Sequence, residues 1–310
     1  MLAGVTMLIV LSVNFLYVCK GGGREDPETL RFKDVPYDLD VCNFGSSHGL
    51  YGFDYEDYED DYSCFNFAMN SQYPTYDYRI LQYYQDHLKE GTIVFLPLTD
   101  YMLFGKKQTE TEDFASLNKR YYRILPASLI RNYDLETAIM LKCLPSLEAD
   151  RKDLSDTLLG KKKPEYVSFY ESVADYWNRE TNYEEAKEDV AERTGIRLLE
   201  CKEENTEEIE AVYAMIRLCQ EKNAVPILIT MPTVRLYQEM EADFDPTFHD
   251  RYHAIIDRII SDTGVSYLNA ELDERFCDDY VLFRDSDHLN HEGARKMTKI
   301  LFEEIVAAER

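Results

Sequence analysis

The chain has 310 residues, of which 45% are hydrophobic, so it is long enough to bury one substantial core with room for an inserted subdomain. Its 59 acidic and 34 basic side chains give a formal net charge of -25 at pH 7. This surplus of negative charge repels phosphate backbones, which excludes nucleic acid as an expected partner.

The first predicted element is the apolar run from Leu2 to Cys19, which Lys20 and three glycines follow. At roughly 18 residues it reaches the short limit for crossing a bilayer, and it lacks the basic start and small-residue cleavage site of a signal peptide. We therefore interpret residues 1–19 as an uncleaved membrane anchor and residues 20–37 as a juxtamembrane linker. A cleaved signal peptide, lipidation at Cys19 and a buried core helix remain open as alternatives.

Beyond the linker, the hydrophobic pattern of residues 38–310 alternates between strands and helices. Helices are predicted at 76–88, after the capping pair Asn205 and Glu208, at 249–261 and from Ala294 to Ile305. Strands that alternate with helices predict an α/β fold whose parallel sheet is covered by helices on both faces. Short apolar or β-prone runs predict five strands, at residues 39–44, 64–68, 92–98, 225–230 and 265–268.

The alternation is interrupted between residues 101 and 205, where charged and aromatic segments include helical stretches at 135–144 and 166–177. We interpret this region as a helical insertion that acts as a lid or a partner surface.

The sequence predicts no metal site and no organic cofactor. The acidic stretch at residues 54–61 lacks the ligand spacing of a calcium loop, so we interpret it as a solvated loop. The cysteines have no CxxC spacing and several of them lie in apolar patterns, which indicates small hydrophobic residues rather than zinc ligands or a disulfide framework. One disulfide remains open if the domain is extracytoplasmic. The seven cysteines are Cys19, Cys42, Cys64, Cys143, Cys201, Cys219 and Cys277.

A candidate nucleophile follows the first predicted strand, in the tetrapeptide Gly45-Ser46-Ser47-His48. The glycine allows a sharp turn that puts Ser47 at the start of a helix, where its hydroxyl is exposed and backbone amides can receive an oxyanion. A helix-capping serine is the alternative interpretation of Ser47. We interpret His48 as structural or substrate-facing rather than catalytic.

A candidate base precedes the last predicted helix, in the tetrapeptide Asp285-Ser286-Asp287-His288. A serine hydroxyl needs a base, and histidine serves when a carboxylate fixes its tautomer. The spacing lets Asp285 reach the imidazole while His288 faces the serine, and Asp287 is less well placed for that role. Because the carboxyl ends of parallel strands meet at one edge of the sheet, the two loops can converge.

In this block order the chain resembles the SGNH, or GDSL-type, hydrolase family. The family's first block, a strand followed by Gly-Asp-Ser, matches Phe44 to Ser47, with Ser47 at the nucleophile position and Ser46 in place of the aspartate. Its last block, Asp-x-x-His, matches Asp285 to His288 near the C-terminus. The resemblance implies a flavodoxin-like three-layer fold and a triad of Ser47, His288 and Asp285.

The family's two middle blocks match less closely. The second, Asn-x-Gly-x-Ser-Gly, aligns with residues 66–71, and the resemblance implies that Ser71 donates its backbone amide to the oxyanion with help from the side chain of Asn70. The third normally reads Gly-x-Asn-Asp, whereas this chain has Pro-Leu-Thr-Asp at 97–100 and lacks the oxyanion asparagine. Since one such donor is worth roughly 3–4 kcal/mol, its absence affects catalytic power rather than the fold.

Gly-Ser-Ser in the first block, the divergent third block and the N-terminal anchor look most like the DltD-type branch, the Gram-positive envelope proteins that act in D-alanine transfer to teichoic acid. The resemblance implies a membrane-anchored, extracytoplasmic esterase or O-acyltransferase acting on acyl or acetyl esters of an envelope polysaccharide or teichoic-acid-like polymer. It also implies an integral membrane acyltransferase as a partner. The alternative is a catalytically weak SGNH-like module that binds polymer or docks onto such an acyltransferase through residues 101–205.

Overall fold

The computed structural model describes residues 2–23, 27–161, 169–200 and 202–308. Residues 24–26 of the predicted linker, the first residues of the helix predicted at 166–177, and Cys201 lie outside this described part. The chain forms two compact units, one of residues 1–34 and 112–172 and the other of residues 35–111 and 173–310. The domain bounds predicted from the sequence stay a prediction.

The second unit is built on a parallel sheet with the strand order β2-β1-β3-β4-β5. All five predicted strands are confirmed, and with them the α/β class. This order is that of flavodoxin-like doubly wound sheets. The strands are β1 (Leu39–Asn43), β2 (Cys64–Asn66), β3 (Leu88–Leu98), β4 (Val225–Thr230) and β5 (Ser266–Asn269).

Fourteen α-helices lie in the described part of the chain, and each predicted helical region overlaps one of them. The apolar faces predicted after Asn205 and after Ala294 are buried, as their periodicity indicates. In chain order the helices are α1 (Leu2–Cys19), α2 (Pro27–Leu30), α3 (Ser47–Gly52), α4 (Pro74–Tyr84), α5 (Phe114–Ile124), α6 (Leu135–Cys143), α7 (Pro145–Glu148), α8 (Arg151–Leu158), α9 (Phe169–Trp177), α10 (Tyr183–Glu200), α11 (Thr206–Glu221), α12 (Arg235–Phe244), α13 (Phe248–Thr263) and α14 (His291–Leu301).

Helix α4 ends four residues before the predicted boundary, and β3 starts at Leu88 instead of residue 92. Leu88 already pairs with Leu39, and the register shifts before Ile93 pairs with Val41. The Thr92 hydroxyl closes this bulge, because it donates to the Leu39 carbonyl at 2.6 Å and accepts from the Lys89 amide at 2.9 Å. Because the residues of the bulge are polar, a search for apolar runs does not find the first residues of β3.

The predicted capping pair at the start of α11 is wrong. Asn205 occupies the N-cap position without a side-chain cap, and its amide donates to the Lys106 carbonyl at 2.9 Å. Glu208 is fully buried and accepts from the Thr75 amide at 2.8 Å and from the Thr75 hydroxyl at 3.1 Å. Glu208 therefore accepts hydrogen bonds from the first turn of α4 instead of capping its own helix.

The sheet has its topological switch point between β1 and β3. From β1 the chain moves to β2 on one side, and β3 then pairs with β1 on the other side. In open parallel sheets, the crevice outside the carboxyl ends of two such strands is where ligands bind. The loops that follow β1 and β3 therefore border the expected site.

The six described cysteines are free thiols. Cys42 and Cys219 are fully buried, as interpreted from their apolar surroundings, and burial raises the pKa of each thiol, that of Cys219 to about 12. These two cysteines behave as small hydrophobic residues.

In the first unit, α1 is tied to the helices of residues 135–158. The Asn14 amide donates to the Cys143 carbonyl at 3.0 Å and accepts from the Ser146 amide at 3.1 Å, and the Tyr17 hydroxyl donates to Asp153. Within the described residues, no helix is both long enough and apolar enough to cross a membrane. The N-terminal anchor stays a prediction.

Candidate active site

Ser47 is positioned by a tight turn between β1 and α3. Gly45 has a φ of +108°, a backbone conformation that residues with a side chain rarely adopt. A Cβ at this position would also lie 3.1 Å from the Pro97 carbonyl oxygen. Its backbone amide donates to Asp77 at 2.9 Å. The turn leaves Ser46 as the N-cap residue and Ser47 as the first residue of α3, as the sequence predicts.

A buried amide network fixes α3 against the sheet. The Asn43 side chain at the end of β1 donates to the Gly49 carbonyl and to the Asn66 side chain, both at 3.0 Å. The Asn66 amide at the end of β2 donates to the carbonyls of Gly49 and Leu50, each at 3.1 Å. Because buried amides are costly when they lack partners, this network sets the position of α3 strongly.

The loop before α14 brings His288 to the serine. The Ser47 hydroxyl lies 2.7 Å from His288 Nε2. On the other side of the ring, Nδ1 lies 2.9 Å and 3.2 Å from the two Asp285 oxygens, and the His288 backbone amide donates to Asp285 at 2.9 Å. Asn290 then caps α14 by accepting from the Gly293 amide at 3.0 Å. The structure thus brings Ser47, His288 and Asp285 together, although 241 positions separate the serine from the histidine.

A second carboxylate contacts the same imidazole. An Asp287 oxygen lies 3.1 Å from His288 Nδ1, so this residue is closer to the ring than the sequence interpretation allowed. Arg193 on α10 donates to Asp287 and, at 3.1 Å, to Asp285. Sequence reasoning missed Arg193, which lies in the region interpreted as an insertion and carries no local motif.

The two carboxylates control the protonation of His288. Burial lowers the pKa of the imidazole, but the charges of Asp285 and Asp287 outweigh burial and raise the pKa from 6.5 to about 9. Burial also raises the pKa of Asp285, and the His288 and Arg193 charges overcome this effect and hold the pKa below its usual value. The structure therefore favours an ion pair between the Asp285 carboxylate and a protonated imidazole up to about pH 9.

His48 is packed against the same histidine. Its ring is buried and stacks on the His288 ring with 4.5 Å between centroids, and its Nε2 lies 3.4 Å from Asp287. It also lines a cavity of about 30 Å³ that Leu98, Thr230 and Glu271 help to form. This position is compatible with both the structural and the substrate-facing interpretation.

Aromatic side chains form a wall on another side of His288. Tyr51 and Tyr176 stack at 4.3 Å, and each presents its ring edge-on to the histidine, with centroids 6.2 Å and 6.4 Å away. Arg284 lies 3.0 Å above the Tyr176 ring, and the Trp177 indole donates to the Tyr51 carbonyl at 3.1 Å. The last residues of α9 thus contribute to the site, which the sequence did not predict.

The two residues predicted to bind the oxyanion, Asn70 and Ser71, have different surroundings. The Asn70 amide donates to the Tyr51 hydroxyl at 3.0 Å, which puts Asn70 near the aromatic wall. Ser71 is exposed, with a φ of 51°, in the turn after β2. In the described part of the chain, no side-chain contact brings Ser71 to Ser47 or His288.

Comparison of the sequence with protein-family models finds no match, and no curated protein matches it. The solved structures that match the chain include the following two. A Bacteroides fragilis protein described as a candidate acylhydrolase has a TM-score of 0.42 and 9% identity, covering 93% of this chain and 100% of that one. A Streptococcus pneumoniae protein described as a candidate platelet activating factor has a TM-score of 0.42 and 10% identity, covering 98% of each chain. At these scores neither similarity assigns a reaction to this chain.

Proposed function

We propose that the protein is a serine-dependent esterase or O-acyltransferase of the SGNH type, with Ser47 as nucleophile, His288 as general base and Asp285 as the residue that orients the imidazole. The observation that carries this proposal is the 2.7 Å contact between the Ser47 hydroxyl and His288 Nε2, with Asp285 on the opposite ring nitrogen. This is the arrangement that activates a serine hydroxyl.

In the proposed reaction, Ser47 Oγ attacks the ester carbonyl while its proton passes to His288. The backbone amides of Ser47 and Ser71, with the side chain of Asn70, hold the oxyanion. The ester C–O bond then breaks, His288 returns the proton to the departing alcohol, and the acyl group stays on Ser47. Water or a sugar hydroxyl attacks this acyl-enzyme through the same base, which releases an acid or a new ester.

The proposed substrate is an acyl or acetyl ester of a cell-envelope glycopolymer, such as a polysaccharide or a teichoic-acid-like polymer. The small cavity beside His48 supports a short acyl group, because about 30 Å³ admits only one or two water-sized groups. We further propose an extracytoplasmic, membrane-anchored location and an integral membrane acyltransferase as partner.

Covalent labelling with a fluorophosphonate probe tests the proposal. We expect the parent protein and Ser116→Ala, a matched change at an exposed serine, to be labelled at Ser47, whereas Ser47→Ala is not labelled. If the parent remains unlabelled while circular dichroism shows a folded protein, or if Ser47→Ala is labelled equally well, the proposed nucleophile is wrong.

A second candidate function is a catalytically weak SGNH-like module that binds polymer or docks onto a membrane acyltransferase. The position of Ser71 and the Thr99-Asp100 dipeptide in place of the family's Asn-Asp favour it, because both affect the oxyanion site. Unlabelled parent protein separates the two functions when it is given acetylated sugars, because its Ser47 is still free to react. Slow labelling with no measurable turnover of any ester supports the docking module.

A further inference from the structure

A second group of chemically reactive side chains lies at the carboxyl end of β5. His249 and His253 are four residues apart on α13, and Glu271 follows β5. His249 Nδ1 lies 3.6 Å and His253 Nε2 lies 3.2 Å from one Glu271 oxygen, Oε2. The two imidazole rings are 4.3 Å apart. Three side chains from two elements thus converge on one point.

The spacing of these three side chains is close to that of a metal site. Their ligand atoms all lie within 4.8 Å of one another. A tetrahedral zinc ion with bonds near 2.1 Å needs its ligand atoms ~3.4 Å apart, so small side-chain rotations suffice. Histidines at positions i and i+4 share one helix face, and two imidazoles with one carboxylate are a ligand set of zinc sites that keep an open position.

The carboxylate is held in place by neighbouring groups. The Gln238 amide donates to Glu271 Oε1 at 2.8 Å, which leaves Oε2 directed at the histidines. The Glu271 backbone amide donates to the Asn269 side chain at 3.1 Å. Contacts of this kind orient a ligand before an ion arrives and strengthen binding. The His249 side chain is 40% exposed, whereas that of Glu271 is 8% exposed, so an ion can enter from the side of His249.

The surrounding charge favours a cation. Besides Glu271, which contacts His253, two further carboxylates lie along α13: Asp250 directly follows His249, and Asp257 is one turn beyond His253. The carboxylates therefore produce a negative potential at the imidazoles, in a chain with a net charge of -25.

We propose that His249, His253 and Glu271 bind a divalent transition-metal ion of the Zn²⁺ type, with an open coordination position on the solvent side. Imidazole ligands select such ions over Mg²⁺ and Ca²⁺, which prefer oxygen ligands. Glu271 also lines the cavity that reaches His48 and Asp287. A bound ion therefore places positive charge at the border of the cavity beside the proposed triad.

The test is a titration of the full-length, chelator-treated protein with Zn²⁺ by calorimetry, repeated with Co²⁺ because its visible absorption reports the number of ligands. We compare the parent protein with His249→Ala, His253→Ala and Glu271→Gln. His87→Ala serves as the matched control, because His87 is likewise half-buried and stacks on Tyr37 away from this cluster. Circular dichroism and fluorophosphonate labelling of Ser47 show that each variant is folded.

We expect one strong equivalent of Zn²⁺ in the parent and in His87→Ala, and at least about tenfold weaker binding in each of the three cluster variants. The Co²⁺ spectrum of the parent should show a four-coordinate site and should be lost in His253→Ala. Equal Zn²⁺ binding by all five proteins would place the ion elsewhere and overturn the proposal, as would no binding by the parent.

Discussion

The second carboxylate at His288 makes a counterintuitive prediction, namely that Asp287→Asn accelerates Ser47 at neutral pH. The imidazole must be neutral to accept the serine proton. With a pKa of about 9, only about 1% of His288 is neutral at pH 7. Removing the Asp287 charge lowers this pKa, and each unit of decrease raises the neutral fraction at pH 7 about tenfold.

The matched variant is Asp285→Asn, because Asp285 touches both the ring and the backbone amide of His288. Loss of the residue that fixes the tautomer should lower the labelling rate by roughly 10⁴ at pH 7. The assay is the rate of fluorophosphonate labelling between pH 6 and pH 10. We expect the parent rate to rise with pH through an inflection near pH 9, which Asp287→Asn moves to lower pH.

The outcome that refutes this reasoning is an Asp287→Asn profile that superimposes on that of the parent. Equal losses in the two variants would also refute it, because Asp287 would then orient the ring rather than adjust its charge. Arg193 bridges both carboxylates, so Arg193→Met should raise the His288 pKa further and slow labelling at pH 7.

Three further predictions follow from packing and linkage. In Gly49→Ala, a Cβ would lie closer than 3.0 Å to the Phe44 carbonyl oxygen, so we expect α3 to shift and Ser47 labelling to fall at least tenfold. Ala115→Gly, at an exposed position of α5, is the control. Glu208→Ala leaves the buried Thr75 amide without this acceptor, and urea unfolding should show a loss of about 1–3 kcal/mol. The His288 pKa rises on folding by about 2.5 units (9 − 6.5), so the imidazole stabilises the fold by at most about 3 kcal/mol. This stabilisation is complete below pH 6.5 and is lost as the pH rises through 9. The difference in unfolding free energy between the parent and His288→Asn should therefore shrink over that range. A constant difference would contradict the raised pKa.

The sequence predicts the sheet because parallel strands buried on both faces are short apolar runs, and β3 and β4 are such runs. It also predicts Ser47 and His288, because each belongs to a short loop motif beside a predicted element. The start of β3 was missed because polar residues form the bulge before Ile93. The capping pair failed because Glu208 makes its contacts with a different helix.

The parts of the site that the sequence did not predict reach it from distant elements. Arg193 lies on a helix rich in charged residues, so nothing in the sequence distinguishes it from the solvent-exposed charges around it. The prediction of no metal site considered cysteine and acidic spacing, whereas His249 and His253 form an i, i+4 pair that a search for histidine pairs on predicted helices would find. Glu271 follows the next strand along the chain, and only the fold brings it to that pair.

The buried amide network formed by Asn43 on β1 and Asn66 on β2 has a consequence for redesign of this scaffold. Asn43 pairs in register with Asn66, and their side chains hold the carbonyls of α3. Replacing one asparagine by leucine would leave polar groups of the other without that hydrogen-bond partner. Replacing both by apolar residues would remove the side-chain hydrogen bonds that hold α3. Libraries that diversify the nucleophile turn should therefore keep both positions fixed, to retain a folded starting population.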